Sequence, residues 1–369
     1  MCLLLKKLTI ICDPLTSDLG PTRPPVLIAK ELRKYDYEIS LMTITINEKL
    51  QENLDSHKIK VFSAGSKTLF KSDSLTWFYF WTREGIFESI SRKMRNLKPK
   101  HEGVVLNFSN MIVLPSHIWY AQGPPTVLID NIKDYLTPHY KMFYALTSHF
   151  LRKIDHKTTQ KFSEISEKVF TNSKYLAHLY KRWGVEVNTV IYPPLDCQKF
   201  KPTTASPSEE YVVTYFGKET DFRAIQKALN NGIKIKAFGG KIATAPKVML
   251  KHPNLAFLGR ISDSQLIDLY SNALFTFFPF IEEPFGYIPI ESMACGTPVI
   301  TFDKQGPRET VVNKVTGWLA NNEHEMIDIA LRIWNEGYPK KIRSNCRQKS
   351  LEFDVSLIVK RWLSEITNI

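Results

Sequence analysis

The stretch FFPFIEEPFGYIPIESMACGTPVI, Phe277 to Ile300, decides the fold. It opens with an apolar run ending near Pro279, which predicts a buried strand. An acidic loop bearing Gly286 follows, then a segment with helical spacing (Ile288, Met293, Ala294), then Gly296-Thr297-Pro298 and a second apolar strand. Glu283 and Glu291 lie eight residues apart with Gly286 between them, where strand gives way to helix. In an α/β sheet that transition sits at the carboxyl ends of the strands, where ligands bind. N–H groups at a helix start have no partner within the helix and point outward, which suits a phosphate. Gly286 lets a ligand approach the backbone closely. The two carboxylates are then placed to grip hydroxyl groups on either side of that phosphate.

Working outward, the same alternation continues in both directions. From Val299 on come VITFDKQGPRETV, the short strand TGWLA and helices to the end. Before Phe277 the order is YVVTYF, a helix across Phe222–Leu229, IKIKAFGG, LAFLGR and a helix at Ser262–Ser271. Lys218 directly follows a strand and Gly217; it is placed either to pair with a diphosphate as a point charge or to lie on solvated surface. Further back, Ser173 predicts an N-cap for a helix running to Trp183, and a strand then reaches Tyr192. Pro193-Pro194 and the polar TTASPSEE (Thr203–Glu210) place an interdomain hinge between about residues 193 and 210. In the first half, LTIIC (Leu8–Cys12), EISLMTITI, KIKVFS, GVVLNF and HIWYAQ read as strands, with longer helices around Tyr140–His156 and Gln160–Lys168. Strand-helix alternation in both halves argues for mostly parallel, doubly wound sheets. The loop after the first strand carries Gly20 but no G-x-G-x-x-G, so a dinucleotide fingerprint is absent there.

At 369 residues the chain is long enough for two domains, each with its own core. Five cysteines (Cys2, Cys12, Cys197, Cys295, Cys346) are scattered without metal-ligand spacing, a pattern of reduced, intracellular chains. The N-terminal MCLLLKKLTIICDP is interrupted by Lys6 and Lys7, too short an apolar run for a signal peptide or anchor. A cytoplasmic location follows as the expectation, with peripheral attachment to the inner face of a membrane as its variant. Net charge is +12, and residues 1–200 hold 28 Lys and Arg against 19 Asp and Glu. That bias fits an anionic partner, and equally a surface of solvated lysines. One segment stands out, from Trp77 to Lys100: Trp77, Phe78, Tyr79, Phe80 and Trp81 precede Arg83, Arg92, Lys93, Arg95, Lys98 and Lys100. Rings beside a basic helix suit an anionic headgroup layer, or a buried aromatic cluster under a solvated helix. No nucleic-acid module surrounds it, so nucleic acid is not an expected partner.

Taken in order, these pieces resemble glycosyltransferase family 4, retaining enzymes of the GT-B fold. The resemblance centres on the E-x₇-E pattern of Glu283 and Glu291 and extends through FTNSKY, IYPPLD, NLAFLGRISDSQLIDLYSNA, GPRETV and VTGWLA. It implies two Rossmann-like doubly wound domains facing a cleft: residues 1–195 for the acceptor, 196–350 for a nucleotide-sugar, and 351–369 as a C-terminal helix crossing back to the first domain. It implies that Glu283 contacts the donor sugar and Glu291 the ribose hydroxyls, while backbone N–H groups of Phe285, Gly286, Tyr287 and Ile288 hold sugar and diphosphate. Members of this family usually carry Gly-Arg after the first strand of the second domain and a lysine several residues on. Here Gly217-Lys218 takes the first place and Thr220 the second, leaving Arg223 to compensate. An N-domain histidine is common in the family; Gln122 in AQGPP takes its place and cannot act as a base. Gly20 stands alone in the acceptor-side loop where a pair is common.

The Tyr192-Pro193-Pro194 turn is similar to one in a subgroup that includes GDP-mannose-dependent mannosyltransferases acting on lipid-linked acceptors. The resemblance therefore implies hexose transfer, mannose favoured, from a nucleotide-sugar to a lipid-linked or glycan acceptor. Alternatives are a UDP-linked glucose or N-acetyl sugar donor, or a nucleotide-sugar-binding protein with little catalysis of its own. No D-x-D occurs in the chain, so no metal is expected, and no cofactor beyond the donor.

Overall fold

A computed structural model of the chain describes residues 6–16, 20–66, 70, 72–97, 103–240 and 245–369. Cys2, Lys98 and Lys100 lie outside the described residues. The chain divides into two units: residues 1–128, 145–194 and 355–369 form the first, and 129–144 with 195–354 the second. The breaks at Pro194 and Asp354 fall where proline and a short helical turn interrupt regular structure.

The first unit contains β1 (Lys6–Ile11), α1 (Arg23–Leu32), β2 (Tyr37–Thr43), α2 (Glu48–Ser56), β3 (Lys60–Ser63), α3 (Asp73–Phe87), α4 (Ser89–Leu97), β4 (Val104–Asn107) and β5 (Ser116–Ala121). It continues through α5 (Pro125–Ile132), α6 (Pro138–Glu164), β6 (Ser166–Thr171), α7 (Lys174–Arg182) and β7 (Thr189–Val190); α5 and α6 each run across a unit boundary. Among the described residues its seven strands pair in the order β3-β2-β1-β4-β5-β6-β7, all parallel. The second unit contains β8 (Val212–Phe216), α8 (Phe222–Asn230), β9 (Ile235–Gly239), β10 (Leu255–Gly259), α9 (Asp263–Asn272), β11 (Thr276–Phe278) and α10 (Tyr287–Ala294). After them come β12 (Val299–Phe302), α11 (Pro307–Thr310), β13 (Gly317–Ala320), α12 (Glu323–Glu336) and α13 (Lys341–Ser350). Its sheet runs β10-β9-β8-β11-β12-β13, again parallel. Both sheets reverse strand order at one point, β1/β4 and β8/β11, the place where doubly wound sheets open a ligand crevice.

Local chemistry accounts for the helix starts. Ser173 accepts from Leu176 N–H at 3.2 Å and caps α7. Ser262 and Gln265 form a reciprocal capping box on α9. The predicted pair of helices at 140–168 is instead one helix, α6, ending at Glu164, and Ser166–Thr171 continues as strand β6. Nothing in that run breaks a helix before Ile165, whereas the apolar Val169 and Phe170 bury between β5 and β7.

The last helix, α14 (Val355–Ile366), belongs to the first unit, where it packs on α1. Its buried face is Ile358, Val359, Trp362 and Ile366, while Leu357 stays 38% exposed. Trp362 is enclosed by Phe108, Tyr120 and Phe170 at ring distances of 5.3, 5.4 and 5.7 Å. The Trp77–Trp81 cluster is also partly interior. Phe80 and Trp81 are buried, and the Trp77 indole donates to Asp13 at 2.7 Å.

Candidate active site

The switch point of the second unit gathers most of the acidic candidates. β8 ends at Phe216 and its loop runs through Gly217 to Asp221; β11 ends at Phe278 and its loop runs from Pro279 to Gly286. The two loops are stitched together by Ile281 N–H to Glu219 O (2.7 Å) and Asp221 N–H to Pro279 O (3.1 Å). Gly217 is required by close approach, since a Cβ there would meet the Tyr215 ring at 2.3 Å and the Glu219 carboxylate at 2.6 Å.

Gly286 opens α10 at φ 95°, a left-handed conformation that a side chain strains. The turn brings the half-buried Glu283 onto the helix start. Its carboxylate accepts from Phe285 N–H at 3.4 Å and from Gly286 N–H. Burial raises the Glu283 pKa well above the ordinary carboxylate range, and the Glu219 carboxylate raises it further; the two N–H groups only partly offset this. Two of the four N–H groups assigned to sugar and diphosphate are thus directed at Glu283 itself.

Glu291 is buried one helix turn deeper, on α10, and accepts from the Tyr270 hydroxyl at 3.4 Å. Tyr215 sits among Glu219, Glu283 and Glu291; its hydroxyl is pushed up by burial first and then by these three carboxylates. Phe285 is buried against the edges of Tyr287 (5.6 Å) and Phe353 (5.9 Å), while Tyr287 and Ile288 are half-buried.

The cations are arranged differently from the resemblance. Lys218 is exposed on the loop after β8. Thr220 is buried, and its hydroxyl accepts from Gly217 N–H and donates to Tyr215 O, both at 2.9 Å, so it locks the loop. Arg223 is tied to Asp221 at 3.3 Å and to the Tyr135 hydroxyl at 2.6 Å, with its guanidinium over the Tyr135 ring. Its charge is already matched on the outer side of α8.

Gln122 and Gly20 belong to the first unit and lie near each other. The Gln122 amide donates to Phe108 O (2.8 Å) and Pro21 O (3.2 Å), and Gly20 turns the chain at φ 58°.

Sequence reasoning missed three residues around Glu283. Gln305 accepts from Glu283 N–H at 2.6 Å and donates to Glu282. Glu282 is buried and also accepts from Asn131 at 2.8 Å. Lys304 lies over the Phe280 and Phe302 rings at 5.2 and 4.9 Å, its pKa lowered by burial and partly restored by Glu282 and Asp221. The doublet Glu282-Glu283 was the only signal available for them. Among the described residues no cluster of His, Cys, Asp and Glu could hold a metal ion.

Comparison with known proteins agrees with this architecture. Two parallel Rossmann-like sheets define a GT-B fold, and HepE of Anabaena, solved with UDP and glucose, superposes with a TM-score of 0.70 over 98% of this chain and 99% of its own at 17% identity. Residues 223–350 match the family model "Glycosyl transferases group 1". The mouse alpha-1,3/1,6-mannosyltransferase ALG2 is 39% identical over 66 residues, 18% of this chain and 16% of its own length. The Escherichia coli serotype-specific mannosyltransferase WbdA is 28% identical over 110 residues, 28% of this chain and 13% of its own length. The chain thus spans less than a fifth of these two relatives.

Proposed function

We propose that the chain is a retaining hexosyltransferase that moves mannose from a nucleotide-sugar, GDP-mannose in our reading, to a lipid-linked or glycan acceptor at a membrane surface. The observation that carries this reading is Glu283 held on the start of α10 at the switch point of the second unit. Departure of the nucleoside diphosphate places negative charge on its terminal phosphate, which the α10 N-terminus and Lys218 are suited to stabilise. Glu283, once ionised, stabilises positive charge growing at the sugar without forming a bond to it. Glu291 takes the ribose hydroxyls. Similarity to the mannosyltransferases ALG2 and WbdA favours mannose; the UDP and glucose bound by HepE favour a nucleotide-sugar of some kind.

A second reading, a nucleotide-sugar-binding chain with little turnover, is favoured by the buried Thr220 and the matched Arg223, which thin the cationic grip. Screening GDP-mannose, UDP-glucose and UDP-N-acetylglucosamine for thermal stabilisation tests both, because a ligand that binds the folded state raises the melting point by mass action. The proposal expects one donor to stabilise the chain and to release its nucleoside diphosphate when acceptor is added, with retained anomeric configuration in the product. Stabilisation without turnover on any acceptor supports the second reading. No stabilisation by any donor overturns both.

A further inference from the structure

Helix α6 carries an apolar stripe that no described residue of its own unit covers. Leu146 is 81% exposed and Phe150, one turn on, 52%. At 100° per residue, Lys153 and Lys157 continue the same face, so the stripe runs from apolar side chains into two amines. Helix α3 lies directly alongside: a Cβ on Gly85 would come within 2.2 Å of Ile154 on α6. That helix ends in Ile86 and Phe87, both exposed, Phe87 by 61%. Large apolar side chains exposed on two adjoining helices mark an interaction surface.

Three acids nearest this surface, Glu84, Glu88 and Asp155, are turned inward or paired, and the exposed Glu164 lies at the far end of α6. Glu84 accepts from the Ile90 and Ser91 N–H groups and the Ser89 and Ser91 hydroxyls. Glu88 pairs with Lys161. Asp155 is buried on Thr126, accepting from its N–H at 2.7 Å and its hydroxyl at 2.6 Å. What faces outward beside Leu146 and Phe150 is therefore cationic. Apolar rings and aliphatic stems next to amines match a bilayer interface, where the former enter the acyl boundary and the latter meet lipid phosphates. A soluble anion would give Leu146 and Phe150 nothing to bury against.

We propose that Leu146 and Phe150 of α6, with Ile86 and Phe87 of α3 and flanked by Lys153 and Lys157, dock the chain on an anionic lipid bilayer. This assigns the membrane contact of the proposed function to the outer faces of α3 and α6 rather than to the Trp77–Trp81 rings, and it stands independently of the transfer chemistry.

Sedimentation of the full chain with vesicles of phosphatidylcholine, with and without phosphatidylglycerol, tests it. The chain is expected to pellet with the anionic vesicles at low salt, less at high salt, and weakly with neutral ones. Leu146→Glu with Phe150→Glu is expected to weaken binding by about tenfold or more, with an unchanged melting temperature because both sites are solvated. Lys153→Gln with Lys157→Gln should remove the preference for anionic lipid. The inference is overturned if the wild-type chain stays in solution with both vesicles, or if the glutamate variant binds as tightly as wild type. A concentration-dependent dimer in light scattering that Leu146→Glu makes monomeric, with no vesicle binding, assigns the surface to a second copy instead. Vesicle binding without turnover of any donor would leave this inference standing and count against the transferase alone.

Discussion

The side chain of Gln305 accepts a hydrogen bond from the backbone N–H of Glu283 at 2.6 Å, while its own backbone sits at φ 54°. A non-glycine residue in that left-handed region costs about 1–2 kcal/mol. The same amide donates to Glu282, and Gly306 N–H bonds Glu283 O at 3.1 Å, so one short turn clips the loop that presents Glu283.

Replacing Gln305 by glycine separates strain from positioning. Gln305→Gly relieves the backbone and loses the clip, so the melting temperature should change little. Donor turnover should fall about 10- to 100-fold, the scale of a misplacement near the reacting atoms, with the donor KM within a small factor. Turnover equal to wild type would show that the clip does not hold Glu283 for chemistry.

Asp155 predicts a pH dependence of stability. Burial pushes its pKa up to about 7, with the Thr126 hydroxyl and N–H only partly offsetting this. The folded chain therefore holds a proton there that the unfolded chain has released above about pH 4. Stability from this group is complete below that pH and is lost as pH rises toward 7, by up to about 1.4 kcal/mol per pH unit. Asp155→Asn keeps an acceptor for Thr126 and removes the titration. Denaturant unfolding between those two pH values should show a flatter slope for the variant; parallel slopes would contradict the assignment.

Trp362 tests the role of α14. It is fully buried among Phe108, Tyr120 and Phe170. Trp362→Ala should destabilise the first unit by about 3–5 kcal/mol, read as an early unfolding transition. A loss below about 1 kcal/mol would mean that the helix contributes little to that core.

The period of apolar residues carried most of the fold. Strands such as Val212–Phe216 and Val299–Phe302 are near-continuous apolar runs, each broken by one buried threonine, because parallel strands are covered on both faces. The cap at Ser173 was legible because its partner lies three residues away, whereas the capping box at Ser262 came only with the structure. Glu283 and Glu291 stood out because they flank a glycine at a strand-to-helix change. What sequence could not give depends on residues distant in the chain. Thr220 looks like any loop threonine until its hydroxyl is seen between Gly217 and Tyr215. Gln305 and Asn131 meet Glu282 from 23 and 151 residues away. Arg223 read as a spare cation because nothing in the sequence places Tyr135 against it. The Trp77–Trp81 run could not declare which rings turn inward, and on α14 one position separates Leu357 from the buried Ile358.

The central claim is that Glu283 acts on the donor sugar from the start of α10. Its most direct test is release of nucleoside diphosphate from the stabilising nucleotide-sugar by wild type and Glu283→Gln, with donor affinity measured alongside by calorimetry. The account predicts that Glu283→Gln loses about 100- to 1,000-fold in kcat, as removal of one transition-state contact does, while donor affinity and melting temperature stay near wild type. Undiminished turnover by that variant would contradict it.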